Sequence, residues 1–150
     1  MGESFEGDLI RPLGLMTLYF GYAEAEVNSL LAKLRDHGVS IEIPSGAPLG
    51  QRLMEFGSAV KNLGGSGASE VLGLLGESKS LIDQRNTLVH ATILAKGLVI
   101  PNDRAKSEFT VTPDQLTALA EQVFDWKERL SAAVQLRLLP TLRGRAGDGT

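Results

Sequence analysis

The chain has 150 residues, with 15 Lys and Arg against 18 Asp and Glu, a net charge of −3 and no Cys. This length points to one domain with a core that needs no staples, and the lack of Cys removes disulfides, thiolate zinc sites and cysteine nucleophiles together. Apolar residues at 43% and charged residues at 22% describe an ordinary globular chain, and the mildly acidic balance argues against strong nonspecific DNA binding, which needs many Lys and Arg contacts to phosphate.

The opening Met-Gly-Glu-Ser-Phe-Glu-Gly-Asp is acidic, with no apolar stretch behind a basic head, so it does not read as a signal peptide. Glu6 stands where a myristoylation signal carries Ser or Thr. No apolar run approaches the roughly 18 residues of a membrane span. The reading is therefore a cytoplasmic protein without a membrane partner. Residues 1–50 hold three basic and seven acidic groups, a net of −4, whereas residues 126–150 hold five basic and two acidic groups, a net of +3.

The first element is a helix from about Pro12 to Asp36. Leu13, Met16, Phe20, Ala23, Val27, Leu30 and Leu34 recur in steps of three and four, which is a helical seam. Pro12 suits a first turn and Gly38 a stop, with His37 as a C-terminal cap residue favoured by the helix dipole. A second helix spans about Leu49 to Leu63, with Leu53, Phe56 or Gly57, and Val60 on one side. Gly64-Gly65-Ser66-Gly67 reads as a turn with Ser66 or Ser69 as helix cap, because no Lys-Ser/Thr follows it as a phosphate loop requires. A third helix runs from about Ser69 to Thr92, with Leu72, Leu75, Ile82 and Val89 on its apolar side.

Leu98-Val99-Ile100 and Phe109-Thr110-Val111 are β-prone and flank the turn residues Pro101-Asn102-Asp103. Thr112-Pro113-Asp114-Gln115 is a capping-box start for the last helix. There Leu116, Leu119, Val123, Trp126, Leu130 and Ala133 step by three and four. Trp126 and Phe20 lie on seams and read as core rather than base-stacking platforms. Pro140 ends this helix, and about 141–150 form a fraying tail. The fold class is all-α: an antiparallel four-helix bundle with a short hairpin or loop insertion before the last helix.

The chemistry-bearing segment is Leu81-Ile82-Asp83-Gln84-Arg85-Asn86-Thr87-Leu88-Val89-His90. At about 100° per residue, Asp83, Asn86, Thr87 and His90 form one polar stripe. Arg85 lies off it, among Leu81, Ile82, Leu88 and Val89. A guanidinium there must snorkel, pair with an acid such as Glu24, or meet an anion. Arg85 and His90 stand about 140° apart around the helix and about 7.5 Å along it. Side-chain reach, a bend, or a second copy of the chain would bring them together.

The run RNTLVH, Arg85 to His90, near the end of the third helix of a small α-bundle, resembles the HEPN (higher eukaryotes and prokaryotes nucleotide-binding) family. The first helix, GLMTLYFGYAEAEVNSLLAKL, is similar in style to the family's opening helix. The resemblance implies a single HEPN-like domain over 1–150, a homodimer whose two motifs face one cleft, and metal-independent cleavage of RNA with no cofactor. The 2′-hydroxyl would attack the neighbouring phosphate. Arg85 would hold that phosphate, His90 would move the proton, and Asn86 would support them, with Glu24, Asp83 and Thr87 as neighbours. Such a protein fits the toxin of a toxin–antitoxin or phage-defence pair, with an antitoxin protein as partner. The alternatives are a noncatalytic HEPN-like dimerisation, nucleotide-binding or protein-interaction module, and an unrelated bundle in which Arg85 is locked to Glu24.

Overall fold

The apolar row that opens the chain builds a helix longer than its stop signals suggest. In the computed structural model, which describes residues 5–89, 92–93, 98–100 and 107–142, helix α1 runs Phe5–Asp36 and passes through Pro12. Pro12 leaves the carbonyl of Asp8 without its helical donor. In return the row extends backward, since Leu9 is buried and Pro12, rather than the half-buried Leu13, takes the inward position before Met16. The far end stops as its sequence indicates. Gly38 has φ 87°, its N–H donates to Arg35 O at 2.9 Å, and the Val39 N–H reaches back to Leu34 O at 3.0 Å, which is a Schellman closure. His37 Nδ1 lies 2.8 Å from Lys33 O, so its ring caps the same turn.

Helix α2 spans Leu49–Leu63, and it buries Leu49, Leu53, Phe56 and Val60. Phe56, not Gly57, takes the inward place. Gly64 and Gly65 have φ of 69° and 94°, left-handed values that glycine adopts without strain. Helix α3 follows at once, Ser66–Val89. The Ser69 N–H donates to Gly65 O at 3.0 Å, so Gly65 holds the cap position expected of Ser66 or Ser69. The inward row of α3 is Ala68, Val71, Leu74 with Leu75, Ser78, Leu81 and Leu88. This is rotated by about one residue from the expected row, because Leu72 and Ile82 are only half-buried.

Three short strands follow: β1 (Thr92–Ile93), β2 (Leu98–Ile100) and β3 (Phe109–Thr110). They form an antiparallel meander, with Thr92 opposite Ile100 and Val99 opposite both Ile93 and Phe109. The expected hairpin is present with one strand more, since Thr92 belongs to β1 rather than to α3. The turn assigned to 101–103 lies outside the described residues. Helix α4 spans Pro113–Ala132, and its capping box forms in full. The Thr112 N–H donates to Gln115 Oε1 at 2.8 Å, and the Gln115 N–H donates to Thr112 Oγ1 at 3.1 Å.

Pro140 does not end the last helix. A π-helical turn, Ala133–Leu138, precedes it, and helix continues over 139–142. In that turn the Leu139 N–H donates to Val134 O, five residues back. The wide turn carries one residue more than an α-turn, which puts Leu138 and Leu142 inward and leaves Arg137 and Thr141 exposed.

The chain is an all-α bundle with a small β insertion before its last helix. It divides into two compact units: the described residues within 1–22 and 80–124, and those within 23–79 and 125–142. In the second unit α3 and α4 run antiparallel. Glu70 pairs with Arg137 at 3.1 Å, and Glu77 with Arg129 at 3.1 Å. The Trp126 indole N–H donates to Leu74 O at 2.6 Å. The hydrogen bond to Glu77, with Asp125 adding to it, raises the Arg129 pKa above its ordinary value. These exposed pairs each add at most about 1 kcal/mol, so the unit rests on its apolar interior. Among the described residues no helix is long and apolar enough to cross a membrane.

Gly67 shows how closely α3 and the π-turn approach, because a Cβ there would sit 2.5 Å from Arg137 O. Gly67→Ala is expected to cost about 2 kcal/mol in urea unfolding. Gly73→Ala, where nothing lies within 4 Å of the added carbon, should instead gain about 0.5–1 kcal/mol from helix propensity. Equal effects of the two would contradict this packing.

Candidate functional site

The C-terminal half of α3 separates its polar and cationic side chains onto different sides. The inward row passes from Leu81 to Leu88, and Arg85 occupies the position between them, four residues after one and three before the other. The side chain is half-buried, and its guanidinium carbon sits 5.5 Å from the centre of the Phe20 ring of α1. That is cation–π distance, and the Phe20 ring is itself buried. Arg85 Nε is buried with no hydrogen-bond partner. Among the described residues no acid pairs with Arg85. The ion pair of Glu24 is with Arg52, whose Nη1 also donates to Asn28 Oδ1 at 2.7 Å. The proposed lock between Arg85 and Glu24 is thus replaced by a bridge from α2 to α1.

The energetic consequence follows from burial. A cation partly removed from water and not neutralised by a carboxylate costs free energy that a ring face repays only in part, by about 1 to 2 kcal/mol. Phe20 is therefore core, as its place on the seam predicts, and at the same time the ring over which the Arg85 guanidinium lies.

Asp83 and Thr87 point elsewhere. Two steps from Arg85 is about 200° around the helix, and both residues line a cleft of about 530 Å³. The Thr87 hydroxyl donates to Asp83 O at 2.9 Å, an i to i−4 bond that fixes its rotamer. Asn86 is exposed and does not line this cleft. His90 lies outside the described residues, one residue past the end of α3. The structure thus brings together Asp83 and Thr87, turns Arg85 towards Phe20, and gives Glu24 to Arg52.

Other walls of the cleft come from segments not expected to contribute. Phe109 of β3 stands on its edge, 40% exposed, and Gln115 and Gln122 of α4 face it. A spacing of seven between the two glutamines, with Leu119 between them, is a polar-edged helical stripe that the sequence does carry. Among the described residues no group of three or more His, Cys, Asp or Glu is arranged to hold a metal ion. Compared with known protein families, curated proteins and solved structures, the chain shows no match.

Because Arg85 Nε is buried without a partner, an isosteric apolar residue should serve the fold better. Arg85→Met is expected to raise stability by about 1 kcal/mol in thermal or urea unfolding. A loss larger than that would show that the guanidinium is a structural element of the bundle.

Proposed function

We propose that this chain is a HEPN-like RNA-binding domain with metal-independent endoribonuclease activity, in which Arg85 contacts the scissile phosphate and His90 transfers the proton. The observation that carries the reading is Arg85: a guanidinium over the ring of Phe20, in a row that is otherwise apolar but for Ser78, with no acid against it among the described residues. Such a cation gains most from an external anion, and the planar fork of Arg suits two phosphate oxygens. Its place five residues before a histidine, at the end of the third helix of an α-bundle, supports the same reading.

The chemistry asks little else of the protein. The ribose 2′-hydroxyl is the nucleophile, so no protein nucleophile is needed. It loses its proton as it bonds to phosphorus, and the 5′-oxygen leaves with a proton. The products are a 2′,3′-cyclic phosphate and a 5′-hydroxyl. An imidazole with an ordinary pKa near 6.5 serves this transfer at neutral pH, and Arg85 stabilises the charge that builds on the phosphorane oxygens. In this reading Asn86, exposed and beside Arg85 in sequence, donates to phosphate. A homodimer belongs to the reading, since a second copy brings two faces of α3 onto one RNA strand. A toxin role, with an antitoxin partner that covers this region, and a cytoplasmic location complete it.

A second reading, a noncatalytic nucleotide- or protein-binding module, has one observation in its favour: Arg85 and the cleft of Asp83 and Thr87 lie on different sides of α3. The two readings part on one experiment. The purified chain is incubated with total RNA in chelator, and the ends of the products are mapped. Cleavage with 2′,3′-cyclic phosphate ends is expected, reduced about 100-fold or more in both Arg85→Ala and His90→Ala, with helical content retained. RNA bound but uncut selects the second reading, and undiminished cleavage by either variant refutes the residue assignment.

A further inference from the structure

The outer face of α1 carries apolar side chains that a single copy of the chain leaves in water. Ile10, Gly14, Leu18, Gly21 and Tyr22 are all exposed. At about 100° per residue they share an arc of about 120°, along about 18 Å of helix. No charged residue stands between Arg11 and Glu24, although the solvent side of a surface helix is ordinarily polar. Of the seven large apolar side chains exposed among the described residues, three stand on this face. A fourth, Phe124 of α4, joins its flank, since the Tyr19 ring lies against both Tyr22 and Phe124. At the edge of the face the Thr17 hydroxyl donates to Leu13 O at 2.9 Å, so covering it costs no hydrogen bond. Exposed apolar side chains gathered in this way mark an interaction surface.

We propose that this face is a homodimer interface, in which α1 of two copies pairs antiparallel about a twofold axis between Thr17 and Leu18. The inference is drawn from α1 and does not depend on RNA as the ligand. Two features select a second copy and this orientation. The first is charge. Arg11 stands at one end of the uncharged stretch, and Glu24 and Glu26 stand at the other. Antiparallel pairing sets the basic end of each copy against the acidic end of the other, whereas parallel pairing sets like against like.

The second feature is shape. Gly14 and Gly21 are equidistant from the proposed axis, so Gly14 of each copy comes opposite Gly21 of the other. A Cβ built on either glycine meets nothing within 4 Å. Packing within one copy therefore does not ask for glycine at these positions, and glycine weakens a helix relative to alanine. Bare backbone at both crossing points lets two helices approach to the short end of the usual range, about 8 Å between axes. Leu18 then packs beside the axis, with Ile10 and Tyr22 towards the two ends. Phe20 is two residues from Leu18, about 200° around the helix, so the pairing leaves the Arg85 guanidinium over that ring uncovered.

The test is the mass of the full chain in solution, by light scattering and sedimentation from micromolar to millimolar concentration. A dimer is expected. Leu18→Asp and Gly21→Leu should each raise its dissociation constant about 100-fold or more, with helical content kept because both positions are exposed in one copy. Arg11→Glu should weaken it about tenfold, and adding Glu26→Arg should restore it. The chain has no Cys, so single cysteines report the orientation. Under mild oxidation Gly14→Cys mixed with Gly21→Cys should give a covalent dimer far faster than either variant alone. A chain that is monomeric at every concentration overturns the assignment and leaves the face to a different partner. A dimer that Leu18→Asp and Gly21→Leu leave intact, or Gly14→Cys crosslinking to itself in preference, overturns it equally. RNA cleavage by a monomer removes the interface and leaves the assignment of Arg85 and His90, whereas a dimer with these responses that cuts no RNA does the reverse.

Discussion

A single cation in the buried row of α3 is the constraint around which one half of this molecule is arranged. From Ala68 to Leu88 that row is apolar apart from Ser78, whose hydroxyl donates to Leu75 O at 2.5 Å, and Arg85. The serine is satisfied within its own helix and costs little. The arginine has no such internal partner for Nε, and an aromatic side chain at Phe20 of α1 is what allows it to stay. A leucine at either place would pack more simply. Positions where a local rule is broken in this way concentrate at functional sites, because stability alone does not retain them.

The two compact units differ accordingly. The unit containing α2 is conventional. Trp126 spends its indole N–H on Leu74 O, Arg52 spans Glu24 and Asn28, and the remaining interior is Leu, Val, Phe, Ala and Ile41, with Ser78 as its buried hydroxyl. The unit containing the strands holds the Arg85 guanidinium, with no acid against it among the described residues, the cleft lined by Asp83 and Thr87, and the exposed ring of Phe109. There Tyr19 stacks at tilted angles on Tyr22 and Phe124, with ring centres 6.2 and 5.4 Å away.

Much of the architecture was legible because its signals are local. The capping box at Thr112 and Gln115, the bounds of α2 and the closure at Gly38 each depend on residues within one turn of each other. The inward row of α4 down to Ala133 followed from spacing alone. Misreadings arose where a long-range term outweighed a local one. Burial of Leu9 carries α1 through Pro12. The glycines at 73 and 76 remove the apolar cues that would fix the phase of α3, so its row is displaced by one residue. The stripe of Asp83 and Thr87 was readable from helical geometry, but the cleft it lines was not. Phe109, Gln115 and Gln122 belong to separate segments, and only the tertiary fold assembles them.

The π-turn at Ala133–Leu138 splices two phases of one helix. Upstream, inward residues count through Leu130 and Ala133, whereas downstream they count through Val134, Leu138 and Leu142 as though one position had been skipped. The surplus residue bulges on the solvent side, where Leu136 is 74% exposed. Removing one residue from this turn would return the strand of hydrogen bonds to continuous α-helical spacing. The bulge is therefore a local accommodation: it shifts the phase of the helix once and leaves the interior on either side of it packed.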